Sequence, residues 1–565
     1  MKKYFPLFWV FYLLCAFSAH AGEGRYTIPL TGGGWSLWLD KEASWQNDRL
    51  YLPHEITDLS LLPVNVPTGG WQTLSHNPDA VPVEVPGTVE EYLTVTDNPR
   101  PENFRGVSWW YRKITIPADQ QKKRFIIYFE SVRMRAEVYL DGKLVAYDLI
   151  GETPFHVDIT DEAKPGKEQL LAIRVTNPGG NFHWQDFDIM KWGEYNIPPS
   201  RSFTGIIGRV KLESVNPVFI SDTYMQNTPE LTKVNAILSF TNETSSSVKQ
   251  DVELIVNEKG NPDKVVFRQT LKAISFPAGN HEVTIPVNVP DAKLWDLSTP
   301  ELYTCNVLIK KGKKMLDQDK KNFGFRWFTV DGVGKDAVLR LNGRRIMLRS
   351  AISWGYFPVT GLIATTEMAE KQVRTAKSLG LNMLNFHRCI GSPVVLEKAD
   401  ELGLLYYEEP GSFHSANHDP FIRTIVNEKL KRMVYRDRSH PSLVIFNLIN
   451  EFGGPLSQDK ALVAKRMNDM REAHAIDPSR IMSFTSGWAG SEDKEEDSKA
   501  HMLPFDTTLY RKGWYDNHRA GGPETWVENY YKGPKDNIMY TSNRTEVYLR
   551  GEEGAISTPP RIQMI

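Results

Sequence analysis

Cysteine is scarce in this chain of 565 residues, which contains only three. Cys15 falls in an apolar N-terminal segment, and Cys305 and Cys389 are roughly eighty residues apart in stretches of different character. A disulfide framework of the kind that holds small secreted domains together is therefore excluded. We expect the fold to depend on its hydrophobic cores.

An excess of charge of one sign is also lacking. The sequence has 67 Lys and Arg against 69 Asp and Glu, a formal net charge of -2, so it lacks the basic surplus with which proteins hold nucleic acid. No phosphate-binding loop or Gly-x-Ser-x-Gly nucleophile is present, and Gly32-Gly33-Gly34 opens a β region where a dinucleotide site needs a strand-turn-helix unit. The sequence therefore predicts no nucleic acid partner and no cofactor.

A metal site has little support. His414 and His418 have i,i+4 spacing, but the segment Asn417-His418-Asp419-Pro420 is typical of a loop. A zinc site takes at least three protein ligands, and no third ligand is suggested. We expect no metal.

The N-terminus has the pattern of a signal peptide. Lys2 and Lys3 precede an apolar run from Tyr4 to Phe17, which is followed by Ala19-His20-Ala21. Lipid attachment at Cys15 is disfavoured because Leu14 is too bulky for the small residue expected before a lipidated cysteine. We predict that residues 1–21 are a signal peptide cleaved after Ala21, and that the mature protein is periplasmic or secreted, with no membrane contact.

The remaining length predicts several domains, since one core seldom serves more than about 250–300 residues. Residues 22–215 consist of short alternating segments, and Asp141-Gly142 between two apolar runs indicates a tight hairpin. Residues 216–330 continue this pattern and favour an immunoglobulin-like β-sandwich, with one continuous β domain as the alternative. Both regions are predicted to be antiparallel sandwiches.

The region 331–565 alternates strand-like and helical segments, which predicts βαβ units and a parallel sheet. The strand candidates are 345–352, 381–387, 404–408, 443–449, 480–485, 506–510 and 546–550, and the helix candidates are 365–379, 393–402, 420–435 and 458–475. The fold class is thus multidomain β plus α/β. A closed βα-barrel has eight strands, so we expect a barrel truncated after strand seven, in the front part of a longer reading frame.

The most informative segment runs from Arg436 to Glu451. Its apolar run, Leu443 to Ile449, is typical of a buried parallel strand and ends in Asn450 and Glu451. The carboxyl ends of barrel strands are where reactive side chains collect. On spacing alone, a solvated loop beginning at Asn450 explains the same pattern.

A second acidic feature, Arg550-Gly551-Glu552-Glu553-Gly554, follows the last strand candidate, and Glu552 lies 101 residues after Glu451. Two carboxylates at one end of a barrel provide what cleavage of a glycosidic bond requires: an acid for the leaving oxygen and a partner on the other face of the sugar. Taken alone, this second feature is more typical of a solvated turn.

Taken together, these segments resemble glycoside hydrolase family 2, the β-galactosidases, β-glucuronidases and β-mannosidases. The resemblance covers nearly the whole mature chain. It is carried by Gly106 to Lys113, Phe129 to Gly142 and Phe203 to Leu212 in the first domain, and by Leu341 to Arg349, Ala399 to Leu404 and Arg436 to Glu451 in the last. The resemblance implies a jelly-roll sugar-binding domain, an immunoglobulin-like sandwich and a TIM barrel.

By position, the resemblance makes Glu451 the general acid/base, Glu552 the nucleophile and Asn450 the group that holds the substrate 2-hydroxyl. The family retains anomeric configuration, which implies carboxylates about 5–5.5 Å apart and a covalent intermediate. Glu451 then needs a pKa raised towards neutrality, while Glu552 stays ionised. Glu553 stands where the family has an aromatic residue, which favours Glu552 over Glu553.

Other positions carry weaker expectations. The substrate site is predicted to be lined by His387, Glu408, Tyr510 and Trp488. A structural ion pair is the alternative role for Glu408. Core packing is the alternative for Tyr510 and for the neighbouring aromatic residues Trp514 and Tyr515. Asn385 occupies the position of a family arginine, so the family's contacts at this strand are not transferred.

We therefore predict an exported retaining exo-β-glycosidase whose partner is an oligosaccharide or polysaccharide, and oligomerisation is possible. The alternative is a carbohydrate-binding protein or truncated pseudoenzyme without turnover, because an open barrel exposes strand edges. Discrimination among sugars depends on loop residues. Arg388 and Arg511 suit a uronic acid, although arginines of unassigned role are more often surface residues.

Overall fold

The computed structural model describes residues 24–93, 104–180, 189–198, 203–333, 337–355, 357, 361–413, 419–452, 459–487 and 502–505, and the backbone of 514–519 and 547–553. Within these ranges the chain forms two antiparallel β-sandwiches followed by a region of alternating strands and helices. The predicted multidomain β plus α/β fold is confirmed in these parts. The signal peptide and residues 506–510 lie outside them. No described helix is long and apolar enough to cross a membrane.

The first sandwich packs a four-stranded sheet, in the order β1-β15-β6-β10, against a six-stranded sheet, β3-β2-β5-β11-β8-β9. The elements are β1 Tyr26–Pro29, β2 Gly32–Asp40, β3 Val81–Val85, β4 Gly87–Thr88, α1 Val89–Tyr92, β5 Gly106–Thr115, β6 Arg124–Phe129, β7 Val132–Arg133, β8 Arg135–Leu140, β9 Lys143–Asp148, β10 Phe155–Asp158, β11 Glu168–Asn177, β12 Met190–Trp192, β13 Tyr195–Ile197, β14 Gly205–Ile206 and β15 Val210–Val215. Alternate residues such as Leu37, Ile127 and Ile173 fill the core. The predicted hairpin is confirmed: Asp141 and Gly142 have φ of 49° and 84° between β8 and β9.

The second sandwich packs three strands, β16-β17-β20, against four, β19-β18-β21-β22. The strands are β16 Val218–Asn227, β17 Lys233–Asn242, β18 Val248–Glu258, β19 Asn261–Phe276, β20 Gly279–Asn288, β21 Tyr303–Lys311 and β22 Lys314–Phe323. Its core is separate from that of the first sandwich and includes Leu238, Leu254 and Val307. A separate core favours an independent domain over the alternative of one large β domain.

The third region contains five parallel strands in the order β26-β27-β28-β29-β30, with helices between them. Its elements are β23 Phe328–Asp331, β24 Val338–Leu341, β25 Arg344–Arg345, β26 Ser350–Ser353, α2 Thr366–Ser378, β27 Met383–Phe386, α3 Pro393–Leu402, β28 Leu405–Glu408, α4 Pro420–Asp437, β29 Leu443–Asn450, α5 Lys460–Ile476, β30 Ile481–Ser486, β31 Met502–Leu503, β32 Trp514–Arg519 and β33 Val547–Glu553. Strand β33 covers the seventh strand candidate and pairs in parallel with β32. Truncation of the barrel stays a prediction.

The expected first barrel strand, 345–352, is wrong in its first half. Asn342 and Gly343 have φ of 51° and 78°, and this Asn-Gly turn folds β25 back antiparallel on β24. The parallel strand begins only at Ser350, which pairs with Met383. Part of the segment that resembles the family's first strand therefore forms a hairpin sheet, β23-β24-β25.

The second sandwich is fixed to the third region by buried polar contacts. The indole of Trp295 donates to Asp400 O at 2.8 Å, and the guanidinium of Arg326 donates to Pro441 O and Leu443 O at 3.0 and 2.9 Å. Both side chains are fully buried. The start of β29, the strand that leads to Glu451, is thus held by Arg326, which follows the second sandwich in the chain.

The first sandwich docks on helix α4. Ile425 of this helix packs in a hydrophobic cluster with residues of the sandwich, including Met134 and Ile150. Arg432 forms an ion pair with Asp148 at 2.7 Å. The helix between β28 and β29 is therefore held from outside as well as by the sheet.

Candidate active site

Strand β29 delivers Asn450 and Glu451 to the carboxyl end of the parallel sheet. All eight residues of β29 are buried, as expected for a central parallel strand covered on both faces. The backbone N–H of Asn450 donates to Ser412 O at 3.0 Å, and the backbone N–H of Glu451 donates to Ser486 O at 2.8 Å. Glu451, the residue after β29, has φ of 51°, so the backbone turns directly after the strand.

Arg388 brings the side chains of Asn450 and Glu451 together. Its Nε donates to Asn450 Oδ1 at 2.9 Å, and its Nη2 lies 3.7 Å from Glu451 Oε2. The guanidinium carbon lies 3.6 Å from the ring centroid of Phe413, close enough for a cation–π contact. The Arg388 and Glu451 side chains are 11% and 15% exposed, so this cation and this carboxylate meet in a largely desolvated place where their attraction is strong.

The side-chain amide of Asn450 is held at both its oxygen and its nitrogen. Its Oδ1 accepts from Arg388, and its Nδ2 donates to Ser486 Oγ at 2.9 Å. Ser486 Oγ donates in turn to Glu409 Oε1 at 2.8 Å, and Glu409 Oε2 accepts from the Arg388 backbone amide at 3.0 Å. These contacts use one N–H and one of the two lone pairs of the side-chain amide, and the side chain is fully buried among the described residues.

The sequence did not predict that Asn450 lies in one network with Arg388, Glu409 and Ser486. For Glu409 a signal existed, because successive side chains of a strand point to opposite faces. Only one member of the Glu408-Glu409 pair could therefore face Asn450. For Arg388 and Ser486 the sequence has no comparable signal, since their contacts are made between strands.

Glu408 points away from this network. Its Oε1 accepts from the Gly391 amide at 2.7 Å and lies 3.5 Å from Arg436 Nη2, beside Asp437. Burial and the neighbouring charge of Asp437 raise the pKa of the Glu408 carboxyl well above its usual range. The structure thus places Glu408 in a buried ion cluster, the alternative role considered for it, and brings Glu409 to Asn450 instead.

His387 is buried next to the site. Its amide donates to Ser353 O at 2.9 Å, and its ring lies 4.6 Å from that of Trp354, edge to face. Arg388 extends over the same indole, 5.7 Å from the centroid. A substrate contact by His387 stays a prediction.

Glu552 is described by its backbone alone. It lies in β33, in register with His518 of β32, and β33 shares with β29 the property of being a parallel strand. The side chain of Glu552 falls outside the description, as do Tyr510 and Trp488 and the pair His414 and His418. The separation between the two proposed catalytic carboxylates therefore stays a prediction.

The described residues include no group of three or more His, Cys, Asp and Glu side chains placed to hold a metal ion. What the arrangement offers is a strand-end carboxylate with a guanidinium and an oriented amide beside it. A carboxyl group so placed can give a proton to a leaving oxygen and take one from water. The amide can hold a hydroxyl of the same ligand in a fixed position.

Three models of one family match the chain in succession. The model described as glycosyl hydrolases family 2, sugar binding domain, matches residues 33–196, glycosyl hydrolases family 2 matches 218–326, and glycosyl hydrolases family 2, TIM barrel domain, matches 335–540. The three matches follow the order of the two sandwiches and the parallel sheet.

Relatives among curated proteins carry two activities in their names. A β-galactosidase from Thermoanaerobacterium thermosulfurigenes is 29% identical over 65% of this chain and 49% of its own length. A β-glucuronidase from Formosa agariphila is 24% identical over 61% of this chain and 36% of its own length. The chain thus spans about half or less of the length of these relatives.

Solved structures show the same architecture. A glycosyl hydrolase family 2 member from Bacteroides cellulosilyticus superimposes with a TM-score of 0.64 at 20% identity, covering 81% of this chain and 57% of the other. At this identity the likeness shows the fold alone.

Proposed function

The chain belongs to glycosyl hydrolases family 2, and from this premise we propose that it hydrolyses terminal β-glycosidic bonds of glycans, of the β-glucuronide or β-galactoside type. The observation that carries the proposal is the position of Glu451. It directly follows the central strand β29, its carboxylate lies 3.7 Å from Arg388, and the side-chain amide of the preceding residue, Asn450, is held at both its oxygen and its nitrogen. The names of the relatives support the substrate class.

In the proposed reaction, Glu552 attacks the anomeric carbon while Glu451 gives its proton to the leaving oxygen. The bond from the anomeric carbon to the aglycone oxygen breaks, and an ester between the sugar and Glu552 forms. Glu451, now a carboxylate, takes a proton from water, whose oxygen attacks the same carbon and releases Glu552. Two displacements retain the anomeric configuration.

Asn450 would hold the 2-hydroxyl with its remaining N–H and lone pair. Because Arg388 and Ser486 fix both ends of the amide, little rotational freedom remains to be lost when substrate binds. Glu409 accepts from Ser486 Oγ and from the Arg388 backbone amide, so we propose a positioning role for it.

The test uses nitrophenyl β-glucuronide and β-galactoside with wild type, Glu451→Gln and Glu552→Ala. We expect kcat to fall by about 10²–10⁴-fold in Glu451→Gln, the size of a lost general acid. Azide should restore turnover of Glu552→Ala, with inversion, by taking the place of the missing carboxylate. Wild-type rates in Glu552→Ala would refute the mechanism, and binding without turnover in wild type would favour the carbohydrate-binding alternative.

We also propose export, which rests on the sequence pattern of residues 1–21. Expression of the full reading frame, followed by N-terminal sequencing of the extracytoplasmic fraction, should give a mature chain beginning at Gly22. An uncleaved cytoplasmic product would contradict this prediction.

A further inference from the structure

A cavity of about 800 Å³ lies where the first sandwich, the second sandwich and helix α4 meet. Its floor is the outer face of the sheet β1-β15-β6-β10, and its walls are the start of β16 and the C-terminal half of α4. A second cavity of about 700 Å³ continues it and shares Arg25, His156 and Tyr435. Each volume lies in the range of small-ligand sites, about 300–1,000 Å³.

This interdomain cavity is separate from the proposed active site. Helix α4 covers the outer side of the parallel strands, as helices of βα units do, whereas Arg388 and Glu409 meet Asn450 at the carboxyl ends of the strands. None of the residues around Glu451 lines either cavity. A ligand in the cavity would therefore leave the active site open.

The floor of the cavity presents aromatic side chains with polar edges. Lys211, Tyr128 and His156 form a row across β15, β6 and β10, because Tyr128 is in register with both of the others. The Tyr128 and His156 rings are 5.1 Å apart, and Lys211 Nζ lies 5.4 Å from the Tyr128 centroid. On the opposite wall Tyr435 is 43% exposed. Such rings offer an apolar face to the C–H groups of a sugar and hydrogen-bonding groups at their edges.

The two cavities differ in charge. The larger cavity is lined by seven lysine or arginine side chains and four aspartate or glutamate side chains. The smaller cavity is lined by two basic and four acidic side chains. Six of the seven cations are already in ion pairs, for example Arg432 with Asp148 and Lys211 with Glu213. Lys321 forms no ion pair with any residue in the described ranges. The larger cavity thus has cationic capacity left for an anionic ligand.

We propose that the larger cavity binds an acidic oligosaccharide, with a uronate carboxylate at Lys321 and sugar rings against Tyr128 and Tyr435. The proposal goes beyond the glycosidase function and needs no turnover. A site of this kind would keep an acidic glycan on the protein while the parallel-sheet site acts on a terminal sugar.

The test is calorimetric titration of the full chain with an oligogalacturonate, and with a neutral cello-oligosaccharide for comparison. We expect the acidic ligand to bind at least about tenfold more tightly than the neutral one. Lys321→Glu and Tyr435→Ala should each weaken the binding of the acid by about tenfold. Lys320→Glu is the matched control, because Lys320 precedes Lys321 on β22, points to the other face and lines neither cavity.

Glu451→Gln separates this proposal from the glycosidase function. We expect this variant to lose turnover of nitrophenyl glycosides and to keep its affinity for the oligogalacturonate. Lys321→Glu should keep turnover and lose affinity for the oligogalacturonate. The proposal is overturned if the acid does not bind, if Lys320→Glu weakens binding as much as Lys321→Glu, or if Glu451→Gln alone abolishes binding.

Discussion

Arg388 is the residue whose contacts most affect the proposed chemistry. A cation 3.7 Å from Glu451 favours the ionised carboxylate, whereas a general acid must arrive protonated. The same side chain orients Asn450. Arg388 therefore contributes to the geometry of the site and opposes the protonation of its acid.

Replacement of Arg388 by Gln is expected to shift the alkaline limb of the kcat/KM profile to higher pH by about one unit, since a nearby charge of this kind moves a carboxyl pKa by about one to three units. At the same time kcat should fall, because Asn450 loses its fixed orientation. The measurement is a pH–rate profile with nitrophenyl glycosides. A variant with lower kcat and an unmoved alkaline limb would contradict the electrostatic role.

The control for this variant is Arg374→Gln. Arg374 is 62% exposed on α2 and pairs with Glu370 of the same helix. Because exposed pairs of this kind contribute little, neither kcat nor the alkaline limb should change. A shift in both variants would indicate an effect of net charge.

At the residue scale, the sequence predicted Asn450 and Glu451 because an apolar run ending in polar residues is a local pattern. It did not predict Arg388, Glu409 or Ser486 as their partners. Each of these lies on or after a different strand, and which side chains meet depends on strand register and on the direction of each strand end. Glu408 shows how far the sequence could predict the site. It placed this residue at the end of a strand but could not tell which face of the sheet its side chain occupies.

At the element scale, helix positions followed from local signals. Helix α3 was predicted to span 393–402 and does so, because Pro393 occupies its first turn and Gly403 follows its last. The hairpin β24-β25 was missed because the apolar pattern of 345–352 was given more weight than the Asn-Gly turn before it. Turn residues with positive φ here outweighed hydrophobic periodicity.

Gly403 and Gly380 form a matched pair for a test at this scale. Both follow a helix, with φ of 75° and 79°, but a Cβ on Gly403 would lie 2.5 Å from Leu297 O, and one on Gly380 would meet nothing within 4 Å. We expect Gly380→Ala to lower the free energy of unfolding by about 1 kcal/mol from backbone strain alone. Gly403→Ala should cost about 2 kcal/mol more, because the loop at Leu297 must move. Equal effects in denaturant titrations would show that this contact is not tight.

At the scale of the whole molecule, the first sandwich is joined to helix α4 through a buried lysine. Lys429 donates to Glu152 Oε2 at 2.7 Å, and Glu152 also pairs with Arg133. Lys429 is buried, and Glu152 thus holds one cation from each side of the junction, Arg133 of the first sandwich and Lys429 of α4. The sequence could not predict this, because burial of Lys429 results from the docking of two domains.

Replacement of Lys429 by Met tests this junction. The variant keeps an apolar stem but removes the buried cation, which leaves Arg133 as the ion-pair partner of Glu152. We expect the free energy of unfolding to fall by about 3 kcal/mol, because removal of one partner of a buried ion pair costs about 3–5 kcal/mol. The measurement is denaturant unfolding of both proteins, with Lys431→Met, which removes a more exposed pair with Glu472, as the control. Equal effects of the two replacements would show that the buried Lys429 pair does not stabilise the junction.

The contact of Arg326 with Pro441 O and Leu443 O bears on the order of folding during synthesis. Ribosomes release the chain from its N-terminus, so the guanidinium of Arg326 is made more than a hundred residues before the carbonyl groups to which it donates. Trp295, also made early, donates to Asp400 O in helix α3. Because the contacts of a parallel sheet are non-local and slow to form, we expect the bond from Arg326 to Leu443 O to favour the native register of β29 as the sheet assembles.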